Sequence, residues 1–105
     1  MILTDIAKEY FRKWIKENDY PVSLWALEDG LIWKSVEYAL IIERLDTVFM
    51  PITITNEYYD GYYFAWNINT VNPEYSPNGY DTRLEATEAT IEKANEIYNS
   101  QHFAQ

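Results

Sequence analysis

Carboxylates and phenols are the groups in this chain best equipped for chemistry, because cysteine is absent and histidine occurs once. His102, the one histidine, lies beside the C-terminus, where a solvated tail residue is a simpler reading than a base or a metal ligand. Nucleophile triads that need a packed histidine, disulfides and cysteine zinc sites therefore drop out together. The 3 glycines, Gly30, Gly61 and Gly79, sit singly in turns, so there is no phosphate-cradling loop. An EF-hand calcium loop is missing too. Glu57 and Asp60 lie near a tyrosine-rich turn and Glu74 in a long loop. A glycosidase-like pair would need two such carboxyls about 5–10 Å apart across a cleft. Nothing beside them points to a shifted pKa, so they read as ordinary charges. No catalytic residue, cofactor or metal site is expected.

Two patterns stand out as recognition surfaces. Glu85, Glu88, Glu92 and Glu96 are spaced by three and four, which places them along one helix face. Like charges at that spacing repel, and Glu96 also opposes the negative end of the helix dipole. A solvated outer face is one reading. The other is a docking face for a basic partner, with a row of carboxylates imitating a phosphate backbone. The second pattern is Tyr58, Tyr59, Tyr62 and Tyr63 around Asp60-Gly61. Tyrosines around a tight turn form a rigid amphipathic patch of the kind used at interface hot spots, or they stabilise the hairpin by cross-strand pairing. A rival reading gathers Trp25, Trp33, Tyr38 and Trp66, with Asn67 as a polar group, into the aromatic wall of a small-molecule pocket.

The elements that must position these residues follow from periodicity. Thr4 can cap a first helix in which Leu3, Ile6, Ala7, Tyr10 and Trp14 recur at helical spacing, and Asn18, Asp19 and Pro21 end it. Val22 to Leu27 and Leu31 to Trp33 read as strands around Glu28-Asp29-Gly30. Val36 to Glu43 alternates with a period of two and predicts a strand, with a helix from Ser35 to Leu45 as the alternative. Ile52–Tyr59 and Tyr62–Asn69 predict a hairpin closed by Asp60-Gly61, in which Tyr59 faces Tyr62, Tyr58 faces Tyr63 and Ile54 sits with Asn67. Residues 70–81 predict a loop, punctuated by Pro73, Pro77 and Asn78-Gly79. Thr82 to Glu85 matches a capping box that opens a helix to about Asn99, with Leu84, Thr87, Ile91, Ala94 and Tyr98 inward. Residues 99–105 are expected to form a loose tail.

The expected fold class is therefore α+β. Residues 1–105 form one two-layer domain in which an antiparallel sheet of three to five strands carries the N-terminal and C-terminal helices on one face.

Charge narrows the partners. The net charge is −9, and no Lys or Arg occurs between Arg44 and Arg83. Nucleic acid and anionic membrane surfaces are disfavoured, whereas a basic protein would be attracted and steered. The N-terminal segment is charged from Asp5 onward and has no long apolar run, so neither a signal peptide nor a membrane span is read there, and a cytoplasmic location is expected. With 4 Trp, 10 Tyr and 4 Phe, the chain carries more aromatic surface than a small core holds, and a homodimer is expected to bury some of it. The leading reading is a non-enzymatic, acidic interaction protein that inhibits or regulates a basic protein, a nucleic-acid-binding one being one option, through its acidic and tyrosine-rich surfaces. The small-molecule pocket is second and a hydrolase with paired carboxylates third.

Overall fold

The structure is a computed structural model that describes the backbone of residues 1–58, 62–70, 73–76 and 79–103, and the side chains of those ranges except 57, 58, 62–66, 102 and 103. Helices α1 (Asp5–Glu17), α2 (Leu24–Glu28) and α3 (Lys34–Thr47) precede strands β1 (Ile52–Tyr58), β2 (Tyr62–Ile68) and β3 (Glu74–Tyr75), and α4 (Arg83–Phe103) closes the chain. The sheet is antiparallel in the order β1-β2-β3. Helix α4 packs on β1 and β2, and α1 and α3 pack on α4, so the architecture is the expected α+β one. Phe11, Leu27, Ile41, Ile68 and Ile91 are fully enclosed where these elements meet. No helix among the described residues is long and apolar enough to cross a membrane.

The segment before the sheet departs from expectation. Val22–Leu27 and Leu31–Trp33 are not strands: Leu24–Glu28 is a helical turn, capped by Ser23, whose Oγ accepts from the Ala26 N–H at 3.3 Å. Val36–Glu43 also lies within a helix, the alternative to the strand. Its alternation is incidental, because Tyr38, Ile41 and Leu45 also recur at helical spacing and these, with Glu37, are the residues buried. The hairpin is real but its register is one residue away from the expected one. Tyr58 pairs with Tyr62, Glu57 with Tyr63, Ile54 with Trp66 and Ile52 with Ile68. The expected register would have set Thr53 opposite Ile68 and Ile54 opposite Asn67, placing apolar against polar on the same face. Within residues 70–81, Glu74 and Tyr75 form a third strand on β2.

Three helices stop in the same way. After each one a residue takes the left-handed conformation, and the amide that follows bonds back to a carbonyl in the last turn, as in a Schellman motif. Asp19 (φ 53°) follows α1, with Tyr20 N–H on Ile15 O at 3.4 Å. Gly30 (φ 71°) follows α2, with Leu31 N–H on Ala26 O at 2.9 Å. Phe49 (φ 62°) follows α3, with Met50 N–H on Leu45 O at 3.0 Å. Glycine is the usual occupant of such a position, and here it fills one of the three.

The start of α1 is held from elsewhere in the chain. Thr4 is its N-cap by position but makes no side-chain cap bond. Instead Asn95 Oδ1 accepts from Thr4 N–H at 2.9 Å and Asn99 Oδ1 from Ala7 N–H at 2.8 Å, so α4 supplies the acceptors that α1 lacks. On α1 the buried face is Ala7, Phe11, Trp14 and Ile15, whereas Tyr10 is exposed and meets Tyr98 edge-on at 6.2 Å. On α4, Thr82 Oγ1 accepts from Glu85 N–H at 3.1 Å as expected, and the helix continues to Phe103 rather than ending near Asn99. Its buried residues include Ala86, Thr90, Ile91, Ala94 and Tyr98, whereas Leu84 is exposed. A helix pressed by the sheet on one flank and by α1 and α3 on another buries a broad arc rather than one stripe.

Candidate functional site

The four glutamates of α4 do not share one environment. Glu85, Glu92 and Glu96 are exposed, whereas Glu88 is half-buried and faces the Tyr38 hydroxyl of α3. Tyr38 is 4% exposed, and burial, followed by the negative charge of Glu88, Glu37 and Glu92, pushes its pKa up to about 12. Glu88 is thus part of the α3–α4 contact. Glu92 and Glu96 instead line a groove of about 530 Å³ between α4 and the short strand β3. Glu74, Tyr75 and Tyr80 form its other wall, with Ala89 and Lys93 from α4. Lys93 Nζ lies 3.7 Å from Glu96 Oε1, so three carboxylates face one ammonium along this groove.

The groove arises where the sheet runs out. β3 is two residues long and ends the strand order, so its outer edge has no neighbouring strand among the described residues. Tyr75 is 66% exposed there. A second concavity of about 370 Å³ adjoins the first through Glu74, and Val48, Phe49, Met50, Thr70, Ile97 and Gln101 line the rest of it. From Ala89 to Gln101, α4 flanks the pair over about 18 Å at about 1.5 Å per residue.

The described residues of the expected aromatic pocket lie in different surroundings. Trp25 and Trp33 stand 65% and 80% exposed, while Tyr38 is in the core. Asn67 is half-buried on β2, with its Oδ1 enclosed and without a hydrogen-bond partner among the described residues. The side chains of Trp66, Tyr58, Tyr62 and Tyr63, and Tyr59 with the Asp60-Gly61 turn, lie outside the described residues. Glu74, which sequence reading placed among the possible hydrolytic carboxylates, lines the groove. Tyr75, Tyr80 and Phe49 were not anticipated at all. The sequence offered one cue for the turn that holds Phe49, since a proline such as Pro51 often follows the end of a helix.

No protein-family model, curated protein or solved structure matches this chain.

Proposed function

We propose that this chain is a non-catalytic docking protein that receives a basic segment of a partner in the groove between α4 and β3. The observation that carries this reading is the groove itself, with Glu74, Glu92 and Glu96 set beside two tyrosine rings. Carboxylates attract Lys and Arg, and tyrosine faces accept a guanidinium or ammonium through cation–π contact. An extended segment alongside β3 would also lie beside the last strand of the sheet order among the described residues, a recurring mode of peptide capture. The net charge of −9 would steer a basic partner toward the molecule. Outward-facing Trp25 and Trp33 favour an interaction role over a small-molecule pocket.

The test is titration of a fluorescent Arg/Lys-rich peptide with wild type and with the Glu92→Lys/Glu96→Lys variant. Glu88 is left in place because its contact with Tyr38 would confound docking with packing. Each exposed pair contributes only a fraction of a kcal/mol, but reversing two charges removes attraction and adds repulsion, so affinity should fall at least about tenfold. Binding should also weaken at high salt, where exposed charges are screened beyond roughly 10 Å or less. Equal binding by both proteins would end this reading.

A further inference from the structure

Phe49 combines two features that are costly in isolation. It is 85% exposed, the most exposed large apolar side chain among the described residues, and it occupies the left-handed turn that ends α3 (φ 62°). The equivalent turns after α1 and α2 hold Asp19 and Gly30, residue types that tolerate this conformation. Exposure puts the ring at the surface, and it borders the smaller concavity together with Val48, Met50 and Ile97. That concavity shares Glu74 with the acidic groove, so the apolar and acidic surfaces are continuous.

We propose that Phe49 is the apolar anchor of the same docking groove, and that the partner segment is an extended chain in which one large apolar residue lies about three residues from a basic cluster. The proposal rests on the docking reading. Its spacing comes from α4: Ile97 and Glu92 are five residues apart, roughly 8 Å along the helix, and an extended chain covers that in two to three residues at about 3.3 Å each. The acidic wall then provides attraction and the Phe49 end provides selectivity, because apolar contact requires shape and proximity where charge does not.

The experiment uses three fluorescent peptides with the same Arg-Lys-Arg triplet. One has leucine three residues before the triplet, one has it three residues after, and the control has serine at both places. At least one leucine peptide should bind wild type about tenfold more tightly than the control, equivalent to about 1.4 kcal/mol. Phe49→Gly should reduce that peptide to the level of the control, and its melting temperature should equal or exceed that of wild type, because glycine suits the turn. Phe49→Leu should keep most of the preference. Glu92→Lys/Glu96→Lys should weaken all three peptides together. A leucine preference that survives Phe49→Gly, or no such preference in wild type, would overturn the anchor and leave the docking reading standing on the charge-reversal result. Failure of all three peptides to bind wild type would overturn both.

Discussion

Replacing Asn99 with alanine should destabilise this protein more than replacing Thr4, the residue that occupies the N-cap position of α1. Asn99 Oδ1 accepts from Ala7 N–H at 2.8 Å, and its Nδ2 donates to Thr4 O at 3.1 Å. Both bonds cross between elements more than ninety residues apart in sequence, so local rearrangement cannot replace them. At about 1 kcal/mol net for each neutral hydrogen bond, Asn99→Ala should cost about 2 kcal/mol. With an unfolding entropy of about 2.1 cal/mol/K per residue, that corresponds to a melting temperature lower by about 9 °C. Thr4→Ala removes a hydroxyl that accepts from Asn95 at 3.0 Å but caps no α1 amide, and should cost about 0.5–1 kcal/mol. Circular dichroism melts and urea titrations give both numbers, and hydrogen exchange at Ala7 N–H locates the effect, since its protection should fall in Asn99→Ala alone. A larger loss from Thr4→Ala than from Asn99→Ala would refute the assignment of the cap to α4.

Two further predictions concern stability. Asp19→Gly should stabilise the fold by about 0.5–1 kcal/mol, because glycine adopts φ 53° without the penalty a side chain incurs, and a denaturation midpoint at or below that of wild type would contradict this. Tyr38 stays protonated in the folded state to about pH 12 but ionises near pH 10 when unfolded, so its contribution is complete below pH 10 and is lost as pH rises from there to about 12. The loss should amount to roughly 2–3 kcal/mol in all, and Glu88→Gln should lower the pH at which Tyr38 titrates; tyrosinate absorbance of the folded protein, compared between the two proteins, tests this.

How much of this was legible in the sequence differs between elements. Thr82 and Glu85 mark the start of α4 through a bond three residues long, and Asn18 to Pro21 mark the end of α1 in the same local way. Such signals depend on neighbours in the chain and are read reliably. Residues 36–43 carry both periods at once, and what decides between them is which residues find a surface to pack on. Glu28-Asp29-Gly30 fits a hairpin turn as well as a helix stop, because both need a left-handed residue. The hairpin register failed for a related reason: turn chemistry at Asp60-Gly61 favoured one pairing, whereas matching Ile52 with Ile68 required the other.

By itself the sequence determined the α+β class, the acidic face of the last helix and the absence of thiol chemistry, since these follow from residue type and local spacing. Only the tertiary structure decided what surrounds each glutamate of that face. Glu85, Glu88, Glu92 and Glu96 are equivalent by spacing, yet packing turns Glu88 toward Tyr38 and leaves Glu92 and Glu96 opposite β3. It also brings Phe49, Glu74 and Tyr75 to the same flank of α4 from separate parts of the chain. A groove consists of distances between residues remote in sequence, and those distances come from burying the sheet and four helices around one core, which no local pattern encodes.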